Sequence, residues 1–320
     1  MYKPSDKTTW KGRTDLQDGM LGMRWHQVVQ LIDLSRDVPE GEGNFAFLGF
    51  SCDEGVRRNL GRVGASAGPS AIRLAMSALA DHLPEEVQLF GGGDVICSNH
   101  LLEEAQIRLG RKVELLQRKG YKTILLGGGH ETAYGHFLGL QTQIGAEEQL
   151  GIINMDAHFD LRSYAPQPSS GSPFLQIAHA LETAGKAFHY LCLGIQEYGN
   201  TRKLFQTAEE VGAQYVEAQD LQFGLTQRVK EKIQEFINRV DKVYLSIDLD
   251  VFAAAYAPGV SAPTALGLTP QAVLPLIKEI AHSGKLMSAD VVELNPTHDI
   301  DNQTAKLAAG LIYHLVQTWK

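Results

Sequence analysis

The 320-residue chain has no apolar run approaching the roughly 18–20 residues that cross a bilayer, which argues against a helical membrane protein. It has only three cysteines, Cys52, Cys97 and Cys192, far apart and without a CxxC pair. Neither a disulfide framework nor a structural zinc site is expected, and the thiols read as reduced, buried and inert. Positive charge is also scarce. Against 37 Asp and Glu stand 29 Lys and Arg, a net charge of −8, with no basic cluster to neutralise a phosphate backbone, so nucleic acid is not an expected partner. The opening residues, MYKPSDKTTWKGRTD, lack the apolar centre and small-residue cleavage site of a secretory signal, and a cytoplasmic location is the expectation. Linkers, repeats and low-complexity stretches are missing too.

What is present is enough apolar material, 44% of residues, for a sizeable core. One domain over residues 1–320 is expected, because large α/β sheets reach this length undivided. From residue 44 onward short apolar runs alternate with longer stretches of helical period, the mark of a wound α/β sheet. Strands are expected at 45–50, 123–126, 151–155, 190–194, 243–247 and 286–292. Most are continuously apolar, as strands covered on both faces should be. Helices are expected at 69–79, 101–119, 172–184, 201–211, 226–240, 270–282 and 302–319. Thr269 before Pro270 is a start signal, and Asp301 or Asn302 can cap the last helix. The fold class is therefore α/β, three layers, with a central and mostly parallel sheet of about eight strands. Residues 1–43, alternately polar and aromatic, are expected to form an extension that packs on this domain or against an oligomer neighbour.

Three short segments carry the chemistry. Gly127-Gly128-Gly129-His130-Glu131 follows the strand ending at Leu126, at the carboxyl edge where parallel sheets bind ligands. It lacks the Lys-Ser/Thr of a phosphate-binding loop, and alone it reads better as a tight strand-to-helix turn with a solvated histidine. Asp156-Ala157-His158-Phe159-Asp160 ends the strand at 152–155. In extended backbone, residues two apart point the same way, so Asp156, His158 and Asp160 would face one pocket; the plain alternative is an exposed polar loop. Ser246-Ile247-Asp248-Leu249-Asp250 repeats the i, i+2 carboxylate pattern, the alternative being one capping Asp and one solvated Asp. Two carboxylates so close rarely ionise together without a metal or a shared proton.

A parallel sheet gathers these strand ends at one edge. Together His130, Asp156, His158, Asp160, Asp248 and Asp250 form a carboxylate and imidazole set without thiolate, which suits manganese or a similar divalent ion over structural zinc. Six side chains exceed the needs of one open catalytic ion, whereas two ions about 3.5–4 Å apart use them well.

These segments, in this order, resemble the signatures GGGH, DAHxD and SxDxDxxxxxxxPG of the arginase/agmatinase (ureohydrolase) family. The resemblance covers nearly the whole chain, from Gly61-Arg62-Val63-Gly64 and Gly68-Pro69-Ser70-Ala71-Ile72-Arg73 to Glu293-Leu294-Asn295-Pro296. It implies two Mn²⁺ per chain on the six residues above, with Glu293 in the substrate pocket. Trp10-Lys11-Gly12-Arg13, the run DAHFDLR over 156–162, Ser170-Gly171-Ser172-Pro173-Phe174 and Ala257-Pro258-Gly259-Val260-Ser261-Ala262-Pro263 are similar to the branch that hydrolyses N-formimidoyl-L-glutamate to L-glutamate and formamide. Arginases carry a proton-shuttling histidine after a Ser-Gly-Asn loop. Ser172-Pro173-Phe174 stands there instead, so arginine is not the expected substrate.

A small substrate bearing carboxylates needs a cation. Arg162, two residues past Asp160, is the first candidate, the plain alternative being a surface arginine paired to a nearby acid. Arg57, Arg58 and Asn59 are weaker candidates, and Ser170 and Gly171 can add hydroxyl and backbone contacts. The resemblance further implies that Asp160 passes a proton to the leaving amine and that Glu293 orients the amidine. His136 is read as a group behind the ligands or at the surface rather than as a ligand. A homo-oligomer is expected. The competing readings are a ureohydrolase acting on agmatine or a guanidino acid, and a metal-binding protein on the same fold without turnover.

Overall fold

Alternate residues of the strand Lys242–Asp248 enter two separate apolar clusters. Val243, Leu245 and Ile247 join one, while Tyr244 joins the other. Period-two alternation thus survives in direction but not in polarity, because neither face meets water. The computed structural model, which describes residues 1–319, shows the same division along the sheet. Helices Gly68–Ser77, Gln227–Asn238, Pro270–Ala281 and Gln303–Thr318 cover one face. Helices Leu102–Arg118, Thr132–Leu140, Pro173–Thr183 and Arg202–Glu210 cover the other. The result is the three-layer α/β/α arrangement, and no helix among the described residues is long and apolar enough to cross a membrane.

The sheet has ten strands where the sequence suggests about eight: β1 (Tyr2–Lys3), β2 (Gln30–Leu31), β3 (Phe45–Ser51), β4 (Leu89–Ile96), β5 (Lys122–Leu126), β6 (Leu150–Met155), β7 (His189–Ile195), β8 (Gln214–Glu217), β9 (Lys242–Asp248) and β10 (Leu286–Val292). Their order is β1-β4-β3-β5-β10-β9-β6-β7-β8, with β2 also on β4. Pairing is parallel except for β1 on β4.

The strands that escape the sequence pattern have physical reasons to do so. β4 reads LFGGGDVI, and its glycines mimic a turn. At Gly93, with φ of 77°, a Cβ would lie 2.3 Å from the Lys3 carbonyl oxygen, so the glycine is what lets β1 cross there. β8, QYVE, is a short and half-polar edge. Tyr2 and Lys3 pair with Val95 and Asp94, and Trp10 and Trp25 are buried against Phe47. Thr269 caps its helix, accepting the Ala272 N–H. Neither Asp301 nor Asn302 caps the last one. Asp299 does, accepting the N–H groups of Thr304 and Ala305 at 2.9 and 3.0 Å, while Asn302 sits in the left-handed region with φ of 56° and its side chain makes no capping hydrogen bond. Cys97 is half-buried rather than buried; Cys52 and Cys192 are buried, and all three are free.

Candidate metal centre and substrate cavity

β5, β10, β9 and β6 are consecutive neighbours, so their carboxyl ends deliver four distant pieces of chain to one rim. β5 leads into His130, β6 into residues 156–160, β9 into Asp248 and Asp250, and β10 into Glu293. The structure places the six acidic and imidazole residues in two groups, His130, Asp156, Asp160 and Asp248 in one and Asp156, His158 and Asp250 in the other. Asp156 belongs to both.

His130 Nδ1 lies 2.9 Å from Asp248, 3.0 Å from Asp160 and 3.2 Å from Asp156. One N–H cannot serve three carboxylates. His158 Nδ1 lies 3.1 Å from Asp250 and 3.4 Å from Asp156. Three buried atoms at the rim, His130 Nδ1, Asp250 Oδ1 and Glu293 Oε2, have no hydrogen-bond partner among the described residues. Orphaned donor atoms of this kind, all nitrogen and oxygen, fit a pair of divalent cations.

The local backbone differs from the extended geometry the spacing suggests. β6 ends at Met155, the chain bends, and Asp160 takes the left-handed region with φ of 49°. Asp156 and Asp160 meet again only through this bend, while His158 turns to the other group. Asp248 accepts the Asp250 N–H at 2.8 Å in a 3₁₀ turn, which likewise sends the two aspartates to different groups. Glu293, with φ of 69°, accepts the His130 N–H at 2.7 Å and so is locked beside the first group.

Burial and like charge dominate the electrostatics. Burial opposes a charge on His130, yet Asp156, Asp160 and Asp248 outweigh it and hold its pKa well above the ordinary value. Asp250 and then Asp156 lift His158 to about 12, against desolvation. Burial raises Asp250 to about 6, partly offset by His158. Desolvation, then Asp250 and Asp156, push Asp248 well up, and desolvation followed by Asp156 raises Asp160. Glu293 is pushed well up by burial and by Glu131. A site that binds protons this avidly without metal is one where cations are wanted.

Both groups open into a cavity of about 120 Å³, bordered by Asn59, Arg162, Ser170, Ser261 and Glu293. It is well below the 300 Å³ or more that drug-sized ligands occupy. A wider groove of about 660 Å³ adjoins it at Arg162 and Leu204 but holds none of the six ligand candidates. Arg162 donates its N–H to the Gly171 carbonyl at 2.8 Å, which fixes its backbone at the cavity mouth. Arg57 and Arg58 are tied in ion pairs with Glu54 and Glu103, whereas Arg162 has no carboxylate partner among the described residues. Gly171 is buried, and a Cβ there would lie 2.8 Å from Arg162 Cδ.

Residues 43–317 match the model of the arginase family. The chain belongs to that family. It is 46% identical to a formimidoylglutamase of Chromobacterium violaceum over 97% of both chains. Its fold is similar to the crystal structure of formimidoylglutamase from Bacillus subtilis, with a TM-score of 0.82 at 21% identity over 92% of this chain and 91% of that one. It is also similar to Trypanosoma cruzi formiminoglutamase with Mn²⁺, with a TM-score of 0.77 at 25% identity over 88% and 95%.

Sequence reasoning passed over Asn154, Ser246, Ser261 and Asp290. Asn154 donates to Asp156 at 3.0 Å, and Ser246 touches His130. The signal for Asp290 was a lone acid inside an otherwise apolar strand, LMSADVV, since a charge buried there requires partners. His136 is fully buried, so it is not a surface group, and it hydrogen-bonds Asp290 and Ser288 and belongs to neither ligand group.

Proposed function

We propose that the protein hydrolyses N-formimidoyl-L-glutamate to L-glutamate and formamide on a pair of Mn²⁺ ions. The observation that carries this is the pair of carboxylate and imidazole groups sharing Asp156, in a chain nearly half identical over almost its whole length to a formimidoylglutamase. His130, Asp156, Asp160 and Asp248 would hold one ion, and Asp156, His158 and Asp250 the other. The Mn²⁺ of the Trypanosoma cruzi protein supports that metal.

Bound there, the ions supply a water of lowered pKa and a positive field for the charge that develops. The rest falls to side chains. Arg162 takes a substrate carboxylate as a charge-assisted pair, with Asn59, Ser170 and the Gly171 backbone completing the mouth of the cavity. Glu293, fixed by the His130 N–H, faces the cavity and pairs with the amidine. Water adds to the formimidoyl carbon and yields a proton to Asp160, the bond from that carbon to the glutamate nitrogen breaks, and Asp160 passes that proton to the departing amine. An unpaired arginine at the mouth opposes agmatine, whose free end is a cationic amine.

The reading takes residues 1–320 as one catalytic domain with 1–43 as its extension, working in the cytoplasm, for which three free cysteines are suited. It includes a homo-oligomer, supported by Leu16, Met20 and Leu21 lying almost fully exposed on one segment. The test is to give purified protein N-formimidoyl-L-glutamate, agmatine, arginine and guanidinobutyrate, with and without Mn²⁺. Formamide from the first alone, and only with metal, is the expected result; urea from any of the others would overturn the proposal.

A further inference from the structure

Beneath the rim, on the face covered by helix Thr132–Leu140, runs a buried polar chain that the reaction above does not use. His130 Nε2 lies 3.0 Å from Ser246 Oγ, and Ser246 Oγ lies 2.6 Å from Asp290 Oδ1. Asp290 Oδ2 accepts the Tyr244 hydroxyl and, at 2.7 Å, His136 Nδ1. His136 Nε2 lies 2.6 Å from Ser288 Oγ, whose hydroxyl donates to the Thr123 carbonyl at 2.8 Å. Ser246, Asp290, Tyr244, His136 and Ser288 are fully shielded from solvent.

Counting donors fixes the protons along this chain. A carboxylate only accepts, so the single Ser246 hydroxyl proton goes to Asp290. The Ser246 oxygen is then an acceptor toward His130, which must carry its proton on Nε2. In the neutral ring Nδ1 is then the unprotonated nitrogen, and it is Nδ1 that faces Asp156, Asp160 and Asp248 without a hydrogen-bond partner. Imidazole binds a cation through its unprotonated nitrogen, and the tautomer is set by the bond the other nitrogen makes. We infer that Asp290, acting through Ser246, is a positioning residue that holds His130 in the tautomer able to take a metal ion. This rests on the reading of the rim as a metal centre.

Asp290→Asn reverses the chain. Two donors, Tyr244 and His136, converge on Oδ2, so the amide oxygen takes that place and the amide N–H₂ faces Ser246. Ser246 then accepts from Asn and donates to His130 Nε2, which drives the ring proton onto Nδ1. Ser246→Ala removes the acceptor with one atom. Tyr244→Phe also disturbs the network but leaves the Ser246 proton on Asp290.

The experiment is Mn²⁺ binding to the full chain, read as ions per chain and apparent affinities, with circular dichroism as the check on folding. Wild type is expected to take two ions. Ser246→Ala and Asp290→Asn weaken one of them by roughly ten- to a hundredfold, and Tyr244→Phe binds both as wild type does. If Asp290→Asn fails to fold, Ser246→Ala decides. A wild type that takes no Mn²⁺ removes the metal reading itself. Two ions in wild type, bound equally tightly by Ser246→Ala, overturn the inference alone. So does a Tyr244→Phe variant that loses as much affinity as the other two.

Discussion

Arg162 shows how a single residue sets which substrates the site accepts. It is the exposed cation at the cavity mouth that no carboxylate among the described residues engages, and its neighbours Arg57 and Arg58 cannot stand in because Glu54 holds both. A hydrogen bond to a charged group contributes about 1.5–3 kcal/mol, which is roughly ten- to a hundredfold in affinity. Arg162→Ala should therefore raise KM for N-formimidoyl-L-glutamate by that factor while leaving kcat within a few-fold, since its role is to hold a substrate carboxylate and not to act on the reacting carbon. A fall in kcat with KM unchanged would contradict the assignment. Protons and metal compete at the same atoms. His158 is held protonated up to about 12 chiefly by Asp250, and burial lifts Asp250 to about 6, so both carry protons in metal-free protein under mildly acid conditions. Lowering the pH favours the proton and raising it favours the ion. Mn²⁺ affinity should climb from pH 5.5 to 8.5 with protons released on binding, read by calorimetry in two buffers of different ionisation enthalpy. A flat profile without proton release would contradict this. At this scale the six ligand candidates were legible from their conjunction: each cluster alone has a plain alternative, but a parallel sheet brings all three strand ends to one edge. Ser246 and Asp290 were not, since a serine or a lone acid inside a strand gives no sign of what it meets across the sheet.

Elements bring these residues together through turns that have no slack. The turn after β5 passes so close to the end of β3 that a Cβ on Gly128 would lie 1.8 Å from the Cys52 carbonyl oxygen. That same oxygen accepts the Gly129 N–H at 2.9 Å, and the Gly128 carbonyl accepts the Glu293 N–H at 2.8 Å. Gly128→Ala must push β3, β5 and β10 apart at the point where His130 and Glu293 are placed. Overpacking of this kind costs about 1–3 kcal/mol, and the expected result is a lower melting temperature together with weaker Mn²⁺ uptake. Normal uptake by a destabilised variant would show that the turn matters to the fold but not to the site. The sequence revealed β3, β5, β6, β7, β9 and β10 because each is an apolar run between polar turns. It concealed β4, whose glycines look like a loop, and β8, whose short edge buries too little to leave a pattern. The i, i+2 spacing brought the right segments to the rim but on the wrong geometry: the backbone is not extended there, Asp160 returns to Asp156 through a left-handed residue, and Asp248 and Asp250 part into different groups.

Over the whole molecule, the rim is where four strands that are far apart in sequence are obliged to end beside one another. Two apolar clusters cover the sheet from above and below, and their burial is expected to hold its register without help from the site. What the core cannot do is relieve the rim, where Asp156, Asp160, Asp248 and Asp250 crowd two histidines and burial raises the pKa of three of the four acids. Cations that bind only the folded arrangement stabilise it by mass action, about 2.7 kcal/mol for one site at a hundred times its Kd. The metal-free protein should thus remain folded, with native far-ultraviolet circular dichroism, but melt several degrees below the Mn²⁺-loaded protein. The gap should widen with the logarithm of free Mn²⁺ and close on adding a chelator. A melting temperature indifferent to both Mn²⁺ and chelator would mean that the four strand ends converge for some reason other than binding ions. Unfolding on chelation would mean instead that the metal, and not the two apolar clusters, sets the register of the sheet.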